Sequence, residues 1–224
     1  RRHTRFLYVS WARRCVKETV LTAIIGVETM YGRYLGDYRV LDALVTLAFD
    51  YPPRATFFRK ELYEFFMLVR EEKQEITDLK GSYAGAMGYG QFISSSYRRY
   101  AVDFDGDGIR DIWRNPVDAI GSVANYLSEH GWSNGQVVVR IDADDIDESI
   151  FNVSLKPSIT IGDLEEFGVS VAAPRNERVS PMKLLGKQGS EYWLGFNNFY
   201  VITRYNHSKL YAMAVYQLSE ALNK

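Results

Sequence analysis

With 224 residues, 46% of them hydrophobic and 25% charged, the chain can bury one large core, or a main core and a smaller one. Its 27 Lys and Arg against 28 Asp and Glu leave a net charge of −1, so no global basic field recruits nucleic acid or an anionic membrane. The single cysteine, Cys15, excludes an internal disulfide without fixing the compartment, and no apolar run reaches the roughly 20 residues that span a bilayer.

From Arg2 to Val27, apolar residues including Phe6, Leu7, Trp11, Val16, Val20, Leu21, Ile24 and Ile25 recur at roughly helical spacing, until Gly32 and Gly36 end the pattern. The chain enters in mid-helix without Met, so the expectation is that an export signal or lipid anchor lay upstream. A second helix is expected over Val40–Ala48 and, after Pro52 and Pro53, a third from about Thr56 to Lys73. A glycine-rich loop, Gly81–Gly90, leads to Gln91. After an acidic loop beginning at Asp103, Pro116–Leu127 reads as another helix with Gly131 past its end. Beyond Asn134-Gly135, the clusters Val137-Val138-Val139 and Val169-Ser170-Val171, punctuated by Gly, Pro and Asn, predict a small β-containing insert over about 136–196. Tyr211–Leu222 returns to helical spacing. The expected fold is α+β, mainly α: a helical core over 1–135, the β-containing subdomain over 136–196, and a return to the core over 197–224.

Four stretches could carry chemistry. In Gly26-Val27-Glu28-Thr29, a carboxylate ends a strongly apolar helical run. Desolvation there would raise its pKa, as a general acid working near neutral pH requires; the bland alternative is a Glu on a solvated helix rim. Gly81–Phe92 lets backbone approach a ligand closely, with Ser82 and Gln91 as hydrogen-bonding side chains. A tight loop between packed helices would look the same. It has no Lys or Ser/Thr at phosphate-loop spacing, which argues against a nucleotide site. Asp103-Phe104-Asp105-Gly106-Asp107-Gly108-Ile109 matches the start of a calcium-binding EF-hand loop. The residue that would close a twelve-residue loop is Arg114, so Asp111 or the more distant Asp118 would close a longer one; otherwise the stretch is a solvated acidic turn. Finally, Tyr205-Asn206-His207-Ser208 precedes the last helix, where Asn206 or Ser208 suits an N-cap. No second His or Cys lies at zinc-ligand spacing, and no Ser-His-Asp arrangement is legible.

Together, Ile24–Gly32, Leu79–Phe92, Ala101–Gly108, Pro116–Trp132 and Asn198–Val215 resemble the membrane-bound lytic transglycosylase B family over nearly the whole chain, the β insert most weakly. The resemblance implies a lysozyme-like helical core with an EF-hand-type calcium loop spanning 103–118. It implies cleavage of the β-1,4 bond between N-acetylmuramic acid and N-acetylglucosamine in peptidoglycan, leaving a 1,6-anhydro sugar. By position it makes Glu28 the catalytic residue and Ser82, Gln91, Tyr126, Tyr205, Asn206 and Tyr211 the lining of the binding groove. It makes Asp103, Asp105, Asp107, the Ile109 carbonyl and Asp118 the ligands of one structural calcium ion. A monomeric periplasmic protein is implied, anchored to the outer membrane as a lipoprotein in some members and otherwise without membrane association.

Most glycosidases need a second carboxylate; no obvious one lies near these motifs, Asp37, Asp42 and Asp50 are the nearest candidates, and nothing marks them out. One Glu acting first as acid and then as base fits a transglycosylase. A lysozyme-type muramidase, or a non-catalytic calcium-stabilised wall-binding module, is the alternative.

Overall fold

The computed structural model describes residues 16–142 and 146–224. Cys15 and most of the first expected helix lie outside the described residues. Described helices are α1 (Glu18–Thr29), α2 (Val40–Phe49), α3 (Ala55–Glu72), α4 (Ser94–Tyr100), α5 (Pro116–Glu129), α6 (Ile161–Glu165), α7 (Asn197–Tyr205) and α8 (Lys209–Ala221). The strands are β1 (Tyr38–Arg39), β2 (Lys80–Gly81), β3 (Val138–Ile141), β4 (Ile159–Thr160), β5 (Arg178–Gly186) and β6 (Gly189–Gly195). No described helix is long and apolar enough to cross a membrane.

The chain divides into two compact units. The first holds the described residues up to Tyr126 together with Leu218–Lys224, and the second holds Leu127–Gln217. The division cuts through α5 and α8, and the boundaries expected at 135 and 196 both lie inside the second unit.

In the first unit, α2 packs along α3, and α3 packs against α4. Proline shapes the α2–α3 corner: Pro52 and Pro53 open a 3₁₀ turn, Pro52–Arg54, where neither ring disrupts an interior hydrogen bond. Phe58, Leu62, Phe65 and Leu68 of α3 are buried at spacings of three and four, which puts them on one helical face. Strands β1 and β2 form a two-residue antiparallel pair, Tyr38 opposite Gly81 and Arg39 opposite Lys80, joining the segment after α1 to the glycine-rich loop.

In the second unit, the sheet is antiparallel with strand order β3-β6-β5-β4. The β5–β6 hairpin closes at Gly186 and Gly189 around Lys187-Gln188. Ile141, Phe151, Ile161, Leu164, Val169, Val179, Leu194 and Phe196 form its apolar core. A reciprocal cap starts α6: Thr160 Oγ1 accepts the Asp163 amide at 3.1 Å, and Asp163 Oδ2 accepts the Thr160 amide at 3.1 Å.

Two expectations need correction. Val169–Val171 is not a strand; Val169 follows α6 and is buried in the small core, which explains its apolar character without pairing. The principal strands are instead β5 and β6, and β5 was concealed by Pro181, which pairs with Leu194 at the position of a residue normally excluded from strand interiors.

Candidate active site

Helix α1 buries Val20, Leu21, Ala23, Ile24 and Ile25, and Glu28 stands half-buried in its last turn. The helix ends in a left-handed residue, Met30 at φ 51°. The Met30 amide reaches the Gly26 carbonyl at 3.0 Å and the Tyr31 amide reaches the Ile25 carbonyl at 3.3 Å, a paired C-terminal cap. Tyr31 is also left-handed, at φ 60°. Two successive non-glycine residues in this region cost about 1–2 kcal/mol each, so their surroundings must hold them there. A Cβ on Gly26 would lie 2.8 Å from Cζ of the exposed Tyr31 ring, which would have to move aside.

Thr29 provides part of that hold. Its side chain is 1% exposed. Its hydroxyl reaches the carbonyl oxygens of Tyr89 at 3.0 Å and Ile25 at 3.1 Å, and accepts the Gly32 amide at 3.0 Å. The helix end that carries Glu28 is thereby tied to the glycine-rich loop.

That loop is folded on its own polar groups. Ser82 Oγ accepts the amides of Ala84 at 3.3 Å and Ala86 at 3.1 Å. Gln91, at φ 50°, donates through Nε2 to the carbonyls of Gly88 at 3.0 Å and Leu35 at 3.2 Å. Met87 and Phe92 exchange amide–carbonyl bonds at 2.9 Å, and the Tyr89 amide reaches the Ile112 carbonyl at 3.0 Å. Close packing needs the glycines: a Cβ on Gly81 would sit 2.1 Å from the Ala86 carbonyl oxygen. Ser82 and Gln91 are half-buried, and their resolved bonds shape the loop.

In the acidic loop, oxygens of Asp103, Asp105 and Asp118 lie within 4.8 Å of one another. Asp118 is 0% exposed, and burial pushes its carboxyl above the usual carboxylate range, against the opposing pull of the Phe104 and Asp111 amides. Asp103 accepts the Gly106 and Gly108 amides at 2.7 and 2.9 Å, and Asp105 accepts the Asn115 side chain at 2.8 Å. Three carboxylates converging on one point, one of them buried, make an all-oxygen donor set that fits a hard divalent cation. Asp107 is not among the three; its Oδ1 accepts the Ile109 amide at 2.8 Å, and the Ile109 side chain is exposed. Asp111 takes the amides of Trp113 and Arg114, both at 2.9 Å, and so caps a turn rather than closing the cluster.

The remaining candidates fall in two places. Tyr126, in the first unit, is buried against Tyr100 at 4.7 Å and Phe92 at 5.9 Å between ring centroids. Tyr205, Asn206 and Tyr211 belong to the second unit, where the rings of Tyr205 and Tyr211 lie nearly parallel, 3° apart, with centroids separated by 6.5 Å. Asn206 ends α7 and is exposed, and Ser208 caps α8 by accepting the Tyr211 amide at 3.3 Å. Asp42 is paired with Arg39 at 2.6 Å, while Asp37 and Asp50 are exposed.

Sequence reading missed Thr29 and Asn115. Thr29 carries no signal beyond its place after Glu28. Asn115 does: an Asn immediately before Pro116 suits the residue ahead of a helix, and its Oδ1 accepts the Val117 amide at 2.9 Å.

Fold and site together define a mainly helical chain with a small antiparallel sheet, a glutamate at a locked helix end beside a glycine-rich loop, and a carboxylate cluster that could hold a cation. The chain belongs to the Transglycosylase SLT domain family, whose model matches residues 1–220. It is 47% identical to the membrane-bound lytic murein transglycosylase B of Escherichia coli strain K12 over 215 residues, which is 95% of this chain and 59% of that protein. The chain thus spans less than two thirds of that relative. The lytic transglycosylase SLT35 of Escherichia coli, solved in complex with calcium, superposes with a TM-score of 0.86 at 45% identity, covering 96% of this chain and 70% of that one. SltB3 from Pseudomonas aeruginosa, solved in complex with NAG-anhNAM-pentapeptide, gives 0.85 at 32% identity over 99% of this chain and 60% of that one.

Proposed function

We propose that this chain is a peptidoglycan lytic transglycosylase that cuts the β-1,4 bond between N-acetylmuramic acid and N-acetylglucosamine, with Glu28 as acid and then base. The protonated Glu28 gives its proton to the glycosidic oxygen as the bond to the muramic C1 breaks. The substrate's N-acetyl group steadies the positive charge left at C1. The Glu28 carboxylate then removes the proton of the C6 hydroxyl, whose oxygen closes on C1 to form the 1,6-anhydro ring. Attack within one molecule has an effective concentration of up to about 10⁵–10⁸ M, which outruns water without a second protein carboxylate.

The observation that carries this reading is the half-buried Glu28 at the end of an apolar helix, held against the glycine-rich loop through Thr29. The anhydro-sugar complex of SltB3 supports the product. Ser82 and Gln91 would keep the groove wall in shape, Tyr205 and Tyr211 would face sugar rings, Asn206 would bind the acetamido group, and Tyr126 would back the wall. One calcium ion would be held by Asp103, Asp105 and Asp118, joined by Asp107 and the Ile109 carbonyl as the loop tightens. It would act as a structural charge that neutralises the cluster, a role consistent with the calcium complex of SLT35. We place the protein in the periplasm, as a monomer working at the wall and the outer membrane.

Purified sacculi and mass spectrometry test this. Wild-type protein should release ends one water lighter than reducing ends, and Glu28→Gln should release none. Anhydro product from Glu28→Gln would remove Glu28 from the mechanism. Reducing ends alone would make the protein a muramidase, and binding without solubilisation would make it a wall-binding module.

A further inference from the structure

We propose that Thr29 is a positioning residue for Glu28, acting through its hydroxyl to fix the end of α1 on the glycine-rich loop. This rests on the reading of Glu28 as the acid and base. Thr29 lies one residue beyond Glu28, and two left-handed non-glycine residues, Met30 and Tyr31, follow it. The two backbone bonds of the cap offset only part of this strain, and relaxation of either residue toward the right-handed region would turn the last helical turn with it.

Three contacts of one hydroxyl oppose that relaxation. The Gly32 amide, on the far side of the left-handed pair, donates to Thr29 Oγ1 at 3.0 Å, so the strained residues are bracketed between two fixed points. The Tyr89 carbonyl, sixty residues away, lies 3.0 Å from the same oxygen and fixes the turn relative to the loop. The hydroxyl carries one proton, shared between that carbonyl and the Ile25 carbonyl at 3.1 Å, the helix's own partner four residues back. The Thr29 carbonyl adds a fourth restraint by accepting the Tyr34 amide at 2.9 Å. Two glycines leave room for the geometry. A Cβ on Gly32 would lie 2.1 Å from the Tyr89 ring, and a Cβ on Gly26 would push the Tyr31 ring aside. Thr29 is 1% exposed, so water has little access to its hydroxyl. A carboxyl that must meet first a glycosidic oxygen and then a hydroxyl cannot tolerate a wandering helix end; a misplacement of about 1 Å can cost on the order of 100-fold in rate.

The test compares Thr29→Ser, which keeps the hydroxyl, with Thr29→Val, which keeps the shape without it, on sacculi at a temperature where melting curves show both folded. Thr29→Ala, which leaves room for a water, replaces Thr29→Val if the valine variant does not fold. The expected result is wild-type kcat within about threefold for Thr29→Ser. For Thr29→Val, kcat should fall about 10- to 100-fold, with KM changed less than about threefold, a split expected when groups that only bind substrate are intact. A folded Thr29→Val with wild-type kcat would overturn the proposal, as would a loss shared equally by Thr29→Ser. Activity in Glu28→Gln alone would instead overturn the reading of Glu28, so the two failures are distinguishable.

Discussion

Asp118 Oδ1, in the first turn of α5, accepts the amide of Phe104 at 2.6 Å, fourteen residues back along the chain. Its other oxygen accepts the Asp111 amide at 2.9 Å. One buried carboxylate therefore closes the acidic loop from both ends while contributing to the oxygen cluster.

Calcium at a hundred times its dissociation constant should stabilise the fold by about 2.7 kcal/mol. For a chain of this size that raises Tm by roughly 5–10 °C. Asp118→Asn should abolish most of this rise. Asp111→Asn, which loses only a turn cap, should keep it. Equal calcium-induced shifts in the two variants, read by scanning calorimetry with and without EGTA, would contradict the assignment of Asp118 over Asp111.

Gly88 stands at φ 69° with no room for a side chain, since a Cβ there would lie 2.5 Å from the Ile112 carbonyl oxygen. That oxygen accepts the Tyr89 amide, so it cannot retreat without breaking the loop's attachment. Gly88→Ala should cost about 1–3 kcal/mol from overpacking, plus about 1 kcal/mol for the left-handed backbone. Gly131→Ala is the control, at φ 89° with nothing within 4 Å of its Cβ, and should cost only the backbone share. Equal denaturant midpoints for the two would refute the packing argument.

The ion pairs of Arg98 set an acid limit. Arg98 pairs with Glu64 and, at 2.6 Å, with Glu71, and the Glu71 carboxyl is held below the usual carboxylate range mainly by its hydrogen bond to that guanidinium. A lowered folded-state pKa means that the unfolded chain binds the proton more readily. The stabilisation is therefore complete above the ordinary Glu value of about 4.3 and is lost as pH falls through the lower folded value. Both side chains are partly exposed, so the effect is small. Arg98→Met should flatten the decline of Tm below about pH 4.3 while leaving neighbouring steps unchanged. An acid decline in Arg98→Met as steep as wild type would exclude this pair as its source.

How far the sequence was legible depended on whether a feature was held locally or by distant partners. The acidic loop was readable because its carboxylates alternate within seven residues, and α2 and α3 because their apolar spacing is regular. The choice between Asp111 and Asp118 was not, because it turns on burial at a helix start fourteen residues from Phe104. Helix α4 was missed for a similar reason. Its Ser-Ser-Ser start has little intrinsic helical preference, and the helix is seated by Glu61 of α3, which accepts the Ser95 amide at 2.9 Å and its hydroxyl at 2.8 Å. Helix α7 was hidden by its Tyr, Val, Ile and Thr content, which favours strands until Phe199, Val201 and Ile202 are buried. Of the candidate site, Glu28 and the loop glycines were readable as residue types, whereas the Thr29 tie to Tyr89 spans sixty residues and leaves no local trace.

Adjacent asparagines at the start of α7 should behave very differently. Asn198 is 1% exposed; its Oδ1 accepts the Ser133 amide at 3.1 Å, and its Nδ2 donates to the carbonyls of Ser133 at 2.8 Å and Gly135 at 3.3 Å. It thereby clamps the turn after α5. Asn197 is exposed and makes one resolved side-chain bond, to the Gly131 carbonyl at 2.8 Å. Removing the Asn198 side chain gives up three hydrogen bonds, each worth about 0.5–1.5 kcal/mol net, and empties a buried position. Water can replace the lost partner at Asn197. Asn198→Ala should therefore lower stability by about 2–4 kcal/mol and Asn197→Ala by less than about 1 kcal/mol. Chemical denaturation of both variants decides it: comparable losses would mean that the clamp at Asn198 contributes no more than a surface hydrogen bond.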